Sequence, residues 1–257
     1  MCKKNNLWVV LFFLCSYFTF LQAQNPNPYL YEVVKMDSTF DDRADLTLET
    51  YMFHLKQEKD KKMGQTIGNS KEMLTSYAPS SPLSNLLVDM LFEWGNNYLA
   101  SKKMKQADMA LLNFGGIRAA LPQGKITLGD MYQIVPFDNT VAFVFVKGSE
   151  LKKMFDNFTE KRNAIMSNVQ TIYKAGKLLT YTIADALLKD EKIYLIVTHN
   201  FLALGGDDFF SQINFESTLY LEIPVRNVFR DEILKKTAQG VEIEGIKDDR
   251  VILLPTP

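Results

Sequence analysis

Three glycine-punctuated clusters hold the residues of this chain best suited to chemistry. The first is Asn113-Phe114-Gly115-Gly116-Ile117-Arg118. Paired glycines let a backbone turn tightly and let a ligand approach the main chain, and the arginine that follows offers a planar fork for phosphate or carboxylate. The second is Pro136-Phe137-Asp138-Asn139-Thr140, in which a phenylalanine sits among polar loop residues. Such a ring can stack on a planar ligand while the neighbouring amide bonds to the ligand's edge. The third is His199-Asn200-Phe201-Leu202-Ala203-Leu204-Gly205-Gly206-Asp207-Asp208-Phe209. Here a second loop phenylalanine, Phe201, precedes a Gly-Gly turn and Asp207, a carboxylate able to accept hydrogen bonds from sugar hydroxyls. Two rings from separate loops could sandwich a base. Taken singly, each cluster also reads as an ordinary turn with a surface arginine, a tucked-in phenylalanine or a solvated acid.

Other chemistries find little support. The chain has two histidines, His54 and His199, in separate elements, and no Asp-x-His, Gly-Asn-His or Gly-His-x-His pattern. A two-metal hydrolytic centre needs bridging carboxylates with several His or Asn ligands. No Walker-type phosphate loop or Gly-x-Ser-x-Gly elbow occurs. Gly205-Gly206-Asp207-Asp208-Phe209 differs by one residue from the GGDEF signature of diguanylate cyclases. Those enzymes use intracellular GTP, whereas the N-terminal residues of this chain predict export, and only about 50 residues follow the motif. The net charge of −1 over 257 residues leaves no basic footprint for nucleic acid.

The clusters must be carried by strand ends and helix starts. Ala107–Asn113, Val141–Val146 and Lys192–Thr198 are apolar, β-branched runs that predict buried strands, each beside one of the clusters. Pro82 to Leu99 predicts a strong helix, with Leu83, Leu86, Leu87, Met90, Leu91 and Trp94 on one stripe. Shorter helices are expected over Asp45–Lys56, Thr127–Val135, Leu151–Phe158 and Val225–Thr237. Tyr31–Lys35 and Thr66–Gly68 predict strands, and Val169–Tyr173 with Leu178–Ile183 a hairpin. No repeat or linker interrupts residues 31–257. The expected fold class is α+β, one domain of mixed sheets covered by helices.

The first 23 residues predict an address. Lys3 and Lys4 precede a 14-residue apolar run, Leu7–Phe20, and Ala23 offers a small cleavage residue. The run is shorter than the ~20 residues of a membrane span, as in a secretory signal peptide. Residues 24–30, with alternate prolines, form a short leader. Cleavage would remove both cysteines, Cys2 and Cys15, leaving an exported chain without disulfides. The localisation expected is periplasmic or extracellular, with no membrane association after cleavage.

In their order and spacing the three clusters resemble the C-terminal, substrate-binding domain of the 5′-nucleotidase / UDP-sugar hydrolase family. That family carries Asn-x-Gly-Gly-Ile-Arg, Pro-Phe-x-Asn and Asn/Asp-Phe-Leu-Ala-x-Gly-Gly-Asp-Gly-like motifs. Asn85-Leu86-Leu87-Val88-Asp89 is similar to its Gly-Asn-Leu-x-x-Asp helix, with Ser84 replacing Gly. The resemblance spans most of residues 30–257 and implies a four-layer α/β/β/α fold. It also implies a nucleotide or nucleoside ligand, with Phe137 and Phe201 stacking the base, Asn139 at its edge and Asp207 on the ribose. Asn113 and Arg118 would line the phosphate side. Two departures stand out: Tyr77–Leu83 lacks the arginine the family places before the Asn-Leu helix, and Ser167-Asn168 replaces a glycine near the base pocket. The family's catalytic metals sit in a separate N-terminal domain, for which the roughly 90 residues between the signal peptide and the Asn113 motif leave no room. No cofactor is therefore expected on this chain, and divalent metals only on a separate metallophosphoesterase partner. The alternative is a non-catalytic periplasmic nucleoside- or nucleotide-binding protein.

Overall fold

The computed structural model describes residues 33–35, 37–38 and 45–255. The segments read from sequence as a signal peptide (residues 1–23) and a leader (residues 24–30) lie outside these residues. Contacts divide the chain into two units, Met1–His54 and Leu55–Pro257, and all the strands among the described residues belong to the second. In chain order the elements are α1 (Leu46–Met63), β1 (Thr66–Ser70), α2 (Pro82–Ser101), β2 (Met109–Leu112), β3 (Gly124–Thr127), α3 (Leu128–Ile134), β4 (Thr140–Lys147) and α4 (Gly148–Asp156). There follow β5 (Ile165–Ser167), β6 (Val169–Lys174), β7 (Lys177–Ile183), β8 (Ile193–His199), α5 (Asn200–Ala203), β9 (Phe215–Pro224), α6 (Val225–Ala238) and β10 (Val251–Leu254). The fold class is α+β, as expected. Among the described residues no helix is long and apolar enough to cross a membrane.

The central sheet has the order β5-β2-β8-β4-β9. Strands β2 and β8 run parallel, while β4 runs antiparallel to both β8 and β9. Its inner strands are apolar without alternation because both faces are covered. On one face Ala110, Leu112, Phe143, Leu195 and Val197 pack with buried residues of α2 and α6. On the other, Met109, Leu111, Val144 and Ile196 pack with Leu151 and Phe155 of α4 and with Val169 and Ile183 of the β6–β7 hairpin. That hairpin belongs to a second sheet, β10-β6-β7, and β1 pairs with β3 in a third.

Some elements depart from the sequence reading. The strand expected at Tyr31–Lys35 is not seen where described: residues 33–35 are exposed and irregular, and no neighbouring strand pairs with them among the described residues. Helix α1 runs on to Met63 rather than ending at Lys56, because its Lys-, Glu- and Gln-rich continuation consists of good helix formers. Asp45 caps it, its Oδ1 accepting from Thr47 N at 2.9 Å and Leu48 N at 3.2 Å. Thr127 caps α3 rather than opening it: Thr127 N donates to Asp130 Oδ2 at 2.7 Å, and Asp130 N to Thr127 Oγ1 at 3.2 Å. Residues 215–224, which the sequence reading leaves unassigned, form the ten-residue edge strand β9.

Asp89, in the Asn-Leu-x-x-Asp segment of α2, has a structural task. Arg250 donates to both its carboxylate oxygens, at 3.0 and 2.7 Å, and to Asp248 at 2.7 Å. Burial lowers the Arg250 pKa, but these bonds outweigh it and hold the guanidinium more firmly charged than usual. The cluster fixes the approach to β10 against α2.

Candidate functional site

Strand order dictates where the site forms. Parallel strands β2 and β8 end at the same edge of the sheet, so Asn113 and His199 emerge side by side. Antiparallel β4 starts at that edge, with Val141 paired to His199, so the loop at 136–139 arrives there too. The chain leaving β8 turns through α5 into residues 205–209, which complete the rim. All three clusters thereby converge at one edge of the five-stranded sheet.

Asn200, at the start of α5, ties two of these loops together. Its Oδ1 accepts from Thr140 N at 3.1 Å and from Phe201 N at 2.9 Å. Arg226 of α6 holds the loop that carries Phe137. Its Nη1 donates to Val135 O at 3.1 Å, its Nη2 contacts Asp138 Oδ1 at 2.6 Å, and its guanidinium lies 3.9 Å from the Tyr132 ring centroid. Neither Asn200 nor Arg226 is singled out by sequence reasoning, since each acts through partners distant in the chain or through the backbone.

A cavity of about 240 Å³ opens between the loops, lined by Asn113, Gly115, Gly116, Phe137, Asn139, Phe201 and Asp207. Five of the six residues expected to bind ligand therefore meet here. Phe137 is 48% exposed and Phe201 44%. Both rings thus leave a large apolar surface open at a cavity that also carries an amide and a carboxylate. Phe201 rests on Gly206: a Cβ there would stand 2.4 Å from the ring, so the ring's position requires glycine. Arg118 is the exception. Its side chain is exposed and lines neither this cavity nor the one beside it, while its main-chain N donates to Ile134 O at 2.8 Å.

The polar floor is a chain of three side chains. Asn113 Nδ2 donates to Asp207 Oδ2 at 2.6 Å, and Asn113 Oδ1 lies 3.2 Å from His199 Nε2. A carboxylate can only accept, which fixes the Asn113 amide and leaves its oxygen facing the imidazole. His199 must therefore carry its proton on Nε2. Burial pushes the His199 pKa down to about 4, against the smaller opposing pull of the Asp207 charge, so the ring is neutral at neutral pH. Its Nδ1 is buried without a partner. Asp207 itself sits at φ +53°, a left-handed conformation that costs a non-glycine residue energy, and Asp208 follows at φ +58°. Asn168 is also left-handed, and its Nδ2 donates to Asp108 O at 2.7 Å.

Among the described residues, no three His, Cys, Asp or Glu side chains converge as a metal site. His54 lies on exposed α1, and His199 is engaged with Asn113. The donor set does not fit a two-metal centre, and no hydrolytic step is assigned to these residues.

The family model described as "5'-nucleotidase, C-terminal domain" matches residues 62–213. The chain belongs to this family. It is 32% identical over 108 residues to Protein UshA of Yersinia enterocolitica, an alignment covering 40% of this chain and 20% of that protein. It is 28% identical over 153 residues to the 5'-nucleotidase of Homo sapiens, covering 49% of this chain and 26% of that one. The chain thus spans only a fifth to a quarter of these curated relatives. Its fold resembles the crystal structure of a 5'-nucleotidase precursor from Thermus thermophilus, with a TM-score of 0.66 and 24% identity, over 83% of this chain and 44% of that one.

Proposed function

We propose that the chain binds a nucleotide or nucleoside, stacking its base between Phe137 and Phe201 and accepting the ribose hydroxyls on Asp207. Asn139 lies at the base edge, and Asn113 orients the Asp207 carboxylate. The observation that carries this reading is the pair of half-exposed phenylalanines on one cavity whose floor is a positioned carboxylate. The names of the relatives, UshA and 5'-nucleotidase, point to the same ligand class. We further propose that the chain is exported through the signal at residues 1–23. It would serve nucleotide catabolism as the substrate-binding half of a phosphoric ester hydrolase, with the divalent metals on a separate metallophosphoesterase chain.

Calorimetry with adenosine and AMP tests the binding reading. Base–aromatic stacking is worth ~1–3 kcal/mol per base by alanine substitution. Phe201→Ala is thus expected to weaken both ligands about 5- to 150-fold. Equal affinity of variant and wild type would remove Phe201 from the site. A phosphate-release assay on AMP and UDP-glucose with Mn²⁺, Zn²⁺ or Co²⁺ tests the division of labour. The repurified chain alone is expected to be inactive, and turnover that tracks this chain would refute the split. Binding without any gain of activity beside an exported metallophosphoesterase would favour a stand-alone binding protein.

A further inference from the structure

A second cavity, of about 380 Å³, shares Asn113, Gly115 and Asp207 with the aromatic cavity. Its wall includes Lys161, Arg162 and Asn163, from the loop between α4 and β5. The two cations and the two carboxylates of this cavity, Asp207 and Asp208, form no ion pair with one another, and neither cation is paired elsewhere among the described residues. Four opposite charges around one cavity, none cancelled by a neighbour, suit a ligand that needs both signs. The carboxylates can accept from hydroxyls, and the cations can donate to an anion.

The loop that carries the cations is held in place. Arg162 N donates to Thr159 O at 3.1 Å and to Thr159 Oγ1 at 3.0 Å, while Thr159 N donates back to Arg162 O at 2.9 Å. Glu160 N donates to Gly176 O at 3.1 Å, pinning the turn to the β6–β7 hairpin. Asn163 is 5% exposed, and its Nδ2 donates to Pro79 O at 3.1 Å. Its Oδ1 is buried away from solvent, so the residue anchors the loop from behind. Gly115 lines both cavities.

We infer that Lys161 and Arg162 form an anion subsite for the phosphoryl group of a nucleotide, whose sugar lies on Asp207 and whose base fills the aromatic cavity. The inference rests on the base-stacking reading above and deepens it: the preferred ligand is a nucleotide rather than a nucleoside. It also moves phosphate recognition from Arg118, which lines neither cavity, to the turn at 159–163.

Calorimetry at low salt separates the possibilities. The double variant K161Q/R162Q is expected to weaken AMP about 5- to 50-fold, since charge-assisted bonds to phosphate are the strong ones, and to leave adenosine within about twofold. Added salt should weaken AMP and not adenosine in the wild type. Equal AMP affinity in the double variant and the wild type overturns the subsite. So does an equal loss for AMP and adenosine, or loss of the AMP preference in Arg118→Gln alone. If the wild type binds neither ligand, the stacking reading has failed, and inorganic pyrophosphate then decides the subsite by itself. Movement of the Arg162 Nε–H resonance on titration with pyrophosphate upholds an anion site, and a stationary resonance refutes it.

Discussion

Acidification should expose the buried imidazole beneath the binding floor. His199 is 3% exposed and neutral, with a pKa pushed down to about 4 from an ordinary 6.5. The unfolded chain takes up a proton on this residue below about pH 6.5, and the folded protein resists doing so until about pH 4. The stabilising contribution is therefore complete above pH 6.5 and is lost as pH falls toward 4. By pH 5 the linkage amounts to about 2 kcal/mol. His199→Gln supplies the control, because the glutamine amide can reach where Nε2 lies, donate to Asn113 and not titrate. Urea unfolding of both proteins between pH 7.5 and 5 is expected to show a steeper loss in the wild type by about that amount. NMR gives a direct check, since the chain has two histidines and the other lies on exposed α1. Parallel stability profiles, or a titration of the His199 ring near pH 6.5, would refute the argument that this imidazole is locked neutral against Asn113.

Three further perturbations probe the scaffold. Gly206→Ala places a methyl group where the Phe201 ring now lies and is expected to weaken adenosine about as much as removing that ring, on the ~1–3 kcal/mol stacking scale, with melting little changed; unaltered calorimetric affinity would show that the ring need not rest there. Arg250→Met leaves Asp89 and Asp248 without their shared cation and should cost about 2 kcal/mol, read as a fall in Tm of roughly 4–8 °C by calorimetry. Asp208→Gly removes a side chain from a left-handed backbone and is expected to stabilise by about 1 kcal/mol in urea unfolding; a loss of stability instead would show that the Asp208 side chain repays its strain.

The elements that sequence reasoning finds are those whose environment repeats along the chain. Residues 107–113, 141–146 and 192–198 are apolar without alternation because helices cover one face of the central sheet and α4 with the β6–β7 hairpin covers the other. The α2 stripe is legible because the helix buries one face against that sheet. Strand β9 escapes although Leu219, Leu221 and Ile223 alternate with Tyr220 and Glu222. It is an edge strand with only one covered face, and its polar half hides the period of two. The short strands β3 and β5 depend on partners far along the chain, β1 and β2, that no local window contains.

The site divides along the same line. Phe137, Phe201 and Asp207 stand out as residues that a turn does not require, and their meeting follows once β2, β8 and β4 are neighbours with their ends at one edge. Residues that act through distant partners carry no such mark. His199 opens the third cluster in sequence, but its partner, Asn113 at 3.2 Å from its Nε2, lies 86 residues away and no local pattern names it. Arg226 reads as a helix surface cation until the Tyr132 ring and the Val135 carbonyl enclose it. Lys161-Arg162 is the extreme case. In sequence it is a short basic stretch in a polar loop, for which solvation is the ordinary fate. Its chemistry depends on the turn at 159–163 being pinned beside Pro79 and Gly176, which brings two unpaired cations to the same cavity as the carboxylate that floors the aromatic site. If these cations read the charge of a ligand's far end, as inferred above, that preference is set by loop packing rather than by the motif that identifies the fold, and two chains with identical glycine clusters can differ in whether they prefer the phosphorylated form.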